Sequence, residues 1–342
     1  MSIKVENLTM QYLYGREAVT NLSFECKDDE RIAVLATSEG GKTSLLKCIA
    51  GLFPAAKGEI FIGEKQVTRL KPKMRDTVMI YEDGGVIKGK SVRFHLEYPL
   101  KLRKINKAER KRRVLEVSKE FGLYPMLTDI TRMLYTDDII RLSFARAALR
   151  DAEVYLIDDP FKKLSGAVRE ELFQEMLPHI RALKGSVVFA TSSLDEAFSV
   201  ADKVIVLNFG KHEQTGTPEE LTSQPSSLTV DRLVNPRNAR VECAVLTDDS
   251  GAFITLLQKR IALPSEYAGR DITASFAIKE GSNGESFAPI SHGYLGGRKY
   301  VLFPNGGTLF TDEPIKNAYS VATHGKVHIF DNLSEKRLTS II

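Results

Sequence analysis

Residues 31–35 (Arg-Ile-Ala-Val-Leu) form an apolar run that predicts a buried strand. It leads through Ala36-Thr37-Ser38-Glu39-Gly40-Gly41-Lys42-Thr43-Ser44 into the helix-forming run at 45–50. Strand, glycine-rich turn, Lys-Thr and helix is the order a phosphate-binding loop requires. In such a loop, backbone N–H groups at a helix N-terminus converge on phosphate oxygens. Gly40 and Gly41 let the main chain approach, Lys42 would reach the β- and γ-phosphates, and the Thr43 hydroxyl would hold Mg²⁺. Ser38, Glu39 and Ser44 complete the candidate nucleotide-binding set. Two residues depart from the pattern. Ala36 places a Cβ where the motif begins with glycine, and Glu39 sets a carboxylate beside the anion. Taken alone, Gly-Gly-Lys-Thr also fits a plain strand-to-helix turn.

A second segment favours the phosphate site. Residues 154–160 (Val-Tyr-Leu-Ile-Asp-Asp-Pro) are a short apolar run ending in two carboxylates. A strand that delivers an acid at its C-terminal end is how P-loop nucleotidases hold Mg²⁺. Asp158 takes that role, and Asp159 falls where an ATPase places its water-polarising acid. The competing reading is a strand followed by a solvated acidic turn.

These residues resemble the ATPase subunit of ABC transporters, and in particular the subunits of bacterial carbohydrate importers such as those for maltose and glycerol-phosphate. Residues 5–9 through 22–24 are similar to the opening β-subdomain, and 45–52 to the first helix. Residues 75–82 resemble the strand into the Q-loop, and 142–153 the helix after the signature motif. The stretches 195–197, 201–203 and 216–221 resemble the end of the domain. The resemblance implies a RecA-like α/β core with antiparallel β and helical subdomains. It makes Tyr12 or Tyr14 the aromatic that stacks on adenine, and gives Mg²⁺ to Thr43, Asp158 and Glu82, with ATP as the nucleotide.

The departures from the family fall on its catalytic positions. Glu82 replaces the Q-loop glutamine. Leu134-Tyr135-Thr136-Asp137-Asp138 stands where the signature is Leu-Ser-Gly-Gly-Gln. Asp159 replaces the catalytic glutamate, Ser165 the D-loop aspartate and Ser192 the switch histidine. In this family two ATPase domains pair head to tail, each composite site joining one P-loop to the other signature. At the site on this chain's own P-loop, Asp159 would hold the attacking water about 1 Å out of place, a displacement that costs on the order of 10²-fold. Ser192 forfeits a transition-state donor worth another ~10²–10³. At the opposite site, Asp137 and Asp138 would point carboxylates towards a phosphate, with a repulsion of at most about 4 kcal/mol at 4 Å in a medium of dielectric ~20. The expectation is Mg-ATP binding with weak or no hydrolysis. The expected partners are a second, more complete ATPase subunit, two membrane-spanning permeases and a periplasmic or extracellular substrate-binding protein. The chain would lie on the cytoplasmic face of the inner membrane and serve uptake of a small carbohydrate or polyol, glycerol first among them.

Composition bounds the alternatives. The 342 residues leave room for two domains, and charged residues are 27% with a net charge of only +4, too mild to demand a nucleic-acid partner. There is no apolar run of about 18 residues, so no membrane-spanning helix is expected. Residues 1–5 enter a strand pattern directly, so no signal peptide is expected. The three cysteines, Cys26, Cys48 and Cys243, are widely spaced and form no metal set. Residues 82–151 are rich in helix formers and locally basic at 101–104 and 110–113, which fits a solvated helix face or an anionic partner. In the family this segment grips the membrane subunit, which points to residues 82–100. Past a composition shift near 223–236, short apolar runs at 241–246, 253–257, 272–278, 300–303 and 327–330 predict strands, with a turn at 304–307. They resemble the small all-β, OB-like (TOBE-type) regulatory domain of importer ATPases, giving an ABC nucleotide-binding domain at 1–235 and a β domain at 236–342. His324 and His328 share a strand face without a third ligand nearby. Two other functions remain open: a regulatory scaffold on a degenerate ATPase fold, and a soluble nucleic-acid-associated ABC ATPase.

Overall fold

Alternate residues of the central strands face two different cores, which is why these strands are apolar throughout. A computed structural model of the chain describes residues 2–12, 15–36, 39–256, 259–287, 291–295, 298–303, 308–310 and 319–341. The chain divides into two compact units, Met1–Pro218 and Glu219–Ile342.

In the first unit the elements run β1 (Ile3–Gln11), β2 (Glu17–Cys26), β3 (Arg31–Ala36), α1 (Lys42–Ile49), β4 (Lys57–Ile62), β5 (Lys65–Gln66), β6 (Thr77–Ile80), α2 (Val92–Leu102), α3 (Lys107–Glu120) and α4 (Thr136–Ala148). They continue as β7 (Val154–Asp158), α5 (Gly166–Ala182), β8 (Ser186–Thr191), α6 (Leu194–Val200), β9 (Lys203–Asn208) and β10 (Lys211–Gly216). One ten-stranded sheet has the order β5-β4-β1-β2-β10-β9-β3-β8-β7-β6. Strands β9, β3, β8, β7 and β6 are mutually parallel, and β5, β4, β1 and β2 pair antiparallel. This is the expected α/β core with an antiparallel β-subdomain.

On β7, Tyr155 and Ile157 face the core built with α2–α5, while Val154 and Leu156 face the core that holds α1. The same alternation puts Asp158 on the α1 side. Helix α2 buries Val92, His95, Leu96 and Leu100, a single stripe at helical spacing, and Ser91 caps it by accepting from Phe94 N. Helix α3 buries little beyond Val114, Val117 and Ser118. Its basic run is largely engaged: Arg112 pairs with Glu109 and Glu116, and Arg110 and Arg113 donate to the Ile105 and Leu149 carbonyls. That favours the solvated-face reading. Among the described residues no helix is long and apolar enough to cross a membrane.

The second unit follows α7 (Pro218–Ser223) with α8 (Leu228–Val234) and the all-β module. Its strands are β11 (Ala239–Ala244), β12 (Leu246–Asp248), β13 (Gly251–Leu256), β14 (Lys259–Leu263), β15 (Asp271–Phe287), β16 (Ser291–Leu295), β17 (Arg298–Leu302), β18 (Thr308–Phe310), β19 (Tyr319–Asp331) and β20 (Arg337–Ile341). They form three sheets, β11-β15-β19-β20, β12-β13-β14 and β16-β17-β18, in which all pairs are antiparallel. Ile254, Ile272, Ala274, Phe276 and Ile329 close the core. Asp231 of α8 is wholly buried and held by Arg240 at 2.8 Å and by the Ser275 hydroxyl at 2.6 Å. His328 spends Nδ1 on Ser340, 2.8 Å away. The expected turn at 304–307 and the side chain of His324 lie outside the described residues.

Candidate functional site

The end of β3 and the start of α1 flank the candidate phosphate loop. Ala36 is the last residue of β3, in register with Leu207, so a Cβ is accommodated there at no conformational cost. Its carbonyl accepts from Lys42 Nζ at 2.7 Å. Gly41 is the position that must be glycine. It caps α1 at φ 85°, and a Cβ there would meet the Ala18 carbonyl oxygen at 2.1 Å. Lys42 is buried. Burial lowers its pKa from the ordinary lysine value, opposed by Asp159, with Lys162 adding to the lowering and Asp158 opposing it.

Thr43 Oγ1 donates to Asp158 Oδ1 at 2.8 Å, joining the two motifs. Burial pushes the Asp158 carboxyl above the usual carboxylate range; the Thr43 bond and Lys47 oppose this, while Asp159 and Glu82 add to it. A part-buried hydroxyl–carboxylate pair with two further acids nearby is a hard-oxygen set whose charge a cation such as Mg²⁺ would neutralise, so Thr43, Asp158 and Glu82 fit that ion. Glu82 is currently paired with Lys162 Nζ at 3.2 Å. Glu39, exposed, is paired with Arg16 at 3.3 Å, which offsets the carboxylate that the sequence placed beside the anion.

Asp159 takes φ 41°, a left-handed conformation that few residues other than glycine adopt and that asparagine and aspartate tolerate best. Its N–H donates to the Ala190 carbonyl at 2.9 Å, and its Oδ2 accepts from Ser192 Oγ at 2.9 Å. Its other oxygen, Oδ1, is buried without a hydrogen-bond partner among the described residues, as is Arg169 Nη2 at 3.9 Å from it. Arg169 Nε in turn donates to Glu196 at 2.7 Å, and Thr191 Oγ1 donates to the same carboxylate. Two orphaned polar atoms beside the phosphate loop are what an exchangeable water or ligand atom would satisfy.

Tyr12, Arg16, Glu39, Gly41, Lys42, Thr43, Ser44, Glu82, Asp159 and Lys162 line a cavity of about 410 Å³. Tyr12 lies 2.5 Å through its hydroxyl from Ser44 Oγ and packs edge-on to Phe53. Tyr14 and Ser38 lie outside the described residues. Glu82 and Asp159 thus line the cavity, Asp158 bonds Thr43, and Ser192 stands behind Asp159.

The signature stretch stands at the head of α4. Leu134 is half-buried against the helical core, whereas Tyr135 is 80% exposed and Thr136 is exposed. Arg141 gathers Asp137 at 2.7 Å and Asp138 at 3.3 Å, and also Glu175 at 2.9 Å. The two carboxylates are thus folded back along their own helix rather than projecting unpaired. Asp138 is raised from its usual pKa by burial first and by Asp137 next. Sequence reasoning missed Arg141, Lys162, Arg169 and Glu196. The spacing of Arg141 three and four residues beyond the two acids is a helical pairing signal. Nothing local marks the other three.

Residues 19–162 match the family model for ABC transporters. An sn-glycerol-3-phosphate import ATP-binding protein of Rhizobium johnstonii is 33% identical over 257 residues, 75% of this chain and 69% of the relative. One from Yersinia pseudotuberculosis is 30% identical over 276 residues, 79% and 77% of the two chains. Among solved structures, a dimeric ATP-binding cassette in a post-hydrolysis state with ADP and Pi has a TM-score of 0.56 at 22% identity, covering 63% of this chain and 98% of its own. An ATP-binding subunit of an ABC transporter has a TM-score of 0.57 at 21% identity, covering 66% and 93%. These two support the fold of the first unit.

Proposed function

The chain belongs to the ABC transporter family of ATP-binding proteins, and on that premise we propose that it is a non-standard ATP-binding subunit of an importer, binding Mg-ATP with weak or no hydrolysis of its own. The observation that carries this reading is the Thr43–Asp158 bond at the head of α1, beside an Asp159 that is bonded to Ser192 rather than to an imidazole. The binding groups are kept and the firing groups are altered. Lys42, Thr43 and the first N–H groups of α1 would take the phosphates, with Thr43, Asp158 and Glu82 holding Mg²⁺. The metal would supply charge neutralisation at the phosphates.

A more complete ATPase subunit would supply the working catalytic groups in a head-to-tail pair. Two permeases and an external binding protein would complete the importer, with this chain held at the cytoplasmic face. The permease contact would fall on residues 82–100, and the all-β unit would regulate the assembly. The substrate proposed is a small carbohydrate or polyol, with glycerol first. The relatives named for sn-glycerol-3-phosphate import support a three-carbon polyol or its phosphate.

Purification of the tagged chain from its native host tests the assembly. A second, different ATPase and two permeases should copurify, and the isolated chain should bind Mg-ATP in equilibrium dialysis while turning it over slowly. A homodimer with brisk ATPase activity would overturn the proposal.

A further inference from the structure

Glu82 and Lys162 lie 80 residues apart in the chain and meet at the wall of the cavity that Lys42, Thr43 and Asp159 also line. Their side chains are 34% and 47% exposed, so the pair is solvent-screened and exchangeable rather than a fixed strut. The charged side chains in that wall are Arg16, Lys42 and Lys162 against Glu17, Glu39, Glu82 and Asp159. Acids outnumber bases, which is a poor receptacle for a polyphosphate unless a base is released towards it. Arg16 is taken by Glu39. Lys162 is the base whose partner, Glu82, is itself a candidate metal ligand. A Glu82 carboxylate turned to a divalent cation leaves the Lys162 ammonium in want of an anion. Lys162 also stands close enough to Lys42 for its charge to disfavour the Lys42 ammonium, a repulsion that an anion between the two would relieve.

We propose that Lys162 discriminates between nucleotides: it exchanges Glu82 for the terminal phosphate of a bound nucleoside triphosphate as Glu82 turns to the metal ion, so that the site prefers triphosphate over diphosphate. The inference rests on the nucleotide-binding reading above. It adds a second phosphate-seeking lysine to the loop lysine. It also accounts for an acid at position 82, since the carboxylate parks Lys162 when no γ-phosphate is present. A diphosphate has no γ-phosphate to receive Lys162, so it gains nothing from that lysine whether or not Glu82 has turned to the metal.

Titration of the full-length chain with fluorescent Mg-ATP and Mg-ADP analogues decides the matter. Lys162→Ala should weaken triphosphate binding about tenfold or more, the scale of one charge-assisted hydrogen bond, and change diphosphate binding less than about twofold. Lys162→Arg should retain the preference. Glu82→Gln should strengthen binding of ATP in the absence of Mg²⁺, because it frees Lys162 without the metal. Unfolding melts confirm that each variant is folded. Equal losses for both nucleotides in Lys162→Ala would reduce Lys162 to a general electrostatic role and overturn the proposal, as would no loss for either. Failure of the unsubstituted chain to bind either nucleotide would instead overturn the nucleotide-binding reading, and this inference with it.

Discussion

Asp159 brings together a strained backbone, a short side chain and an unsatisfied oxygen. Its left-handed φ turns the residue out of β7 towards the cavity, and Ser192 holds one carboxylate oxygen while the other has no partner among the described residues. A carboxylate held this way is one methylene shorter than glutamate, and the serine that holds it reaches less far than an imidazole. In the proposed complex, with the partner's own site disabled at its catalytic glutamate so that it still binds nucleotide, Asp159→Glu should raise single-turnover ATP hydrolysis on the order of 10²-fold. Adding Ser192→His should raise it by a further ~10²–10³. Rapid-quench measurement of phosphate release checks both, and an unchanged rate in the double variant would show that these positions do not limit turnover. At this scale the residues carried by contiguous motifs were legible: Lys42, Thr43 and Asp158 meet as the sequence implies. The residues that complete their charge balance were not, because Lys162 finds Glu82 across 80 positions and Arg169 reaches Glu196 across 27. Such pairings depend on which strand ends the sheet order brings together.

At the scale of elements, the segment from Glu82 into α2 is pinned at several points. Arg146 donates to the carbonyls of Gly84 and Gly85, and Thr131 Oγ1 donates to that of Ile87. The Ile87 N–H donates to His95 Nε2 at 2.8 Å, so His95 carries its proton on Nδ1, which donates to the Ser91 carbonyl at 2.8 Å. A second proton would set Nε2–H against the Ile87 N–H. Burial lowers the His95 pKa, Ser91 opposes this, and Arg146 adds to the lowering. Because the folded-state pKa lies below the unfolded one, the unfolded chain takes the proton first. Stability is therefore retained above the unfolded value near 6.5 and falls as pH drops through the window beneath it, by up to about 1.4 kcal/mol per pH unit for one excluded proton. His95→Gln can repeat both hydrogen bonds without titrating, so its urea midpoint should fall less between pH 7.5 and 5.5 than that of the unsubstituted chain. His212 and His328, also lowered by burial, remain in both proteins and cancel in the comparison. The sequence announced the helical segment within residues 82–151 through its helix formers, and β3 and β7 through their unbroken apolar runs. It did not announce that β15 extends to Phe287, because residues 279–286 lack an alternating apolar pattern and are held by backbone pairing with β19.

At the scale of the whole molecule, the proposed subunit that binds nucleotide without firing it predicts unequal mutants. If this chain's site closes on nucleotide but does not fire, occupancy matters and hydrolysis there does not. Asp159→Asn removes the charge that would polarise water but leaves Lys42, Thr43 and Asp158 in place, so turnover by the complete complex should stay within about twofold. Lys42→Ala removes a buried cation whose Nζ lies 2.7 Å from the Ala36 carbonyl, and with it a principal phosphate contact. Loss of a charged hydrogen-bonding group costs about 1.5–3 kcal/mol, or roughly 10–150-fold in nucleotide affinity. The proposed head-to-tail dimer, if it must sandwich two nucleotides before it closes, would then lose turnover about tenfold or more, even with a partner that supplies the firing groups. Steady-state ATPase and substrate uptake by the reconstituted complex measure both variants. A Lys42→Ala complex that transports normally would favour a scaffold role for this chain, because nucleotide at this site would then contribute nothing to closure. A severe loss in Asp159→Asn with nucleotide affinity at this site unchanged would mean that this chain hydrolyses ATP itself.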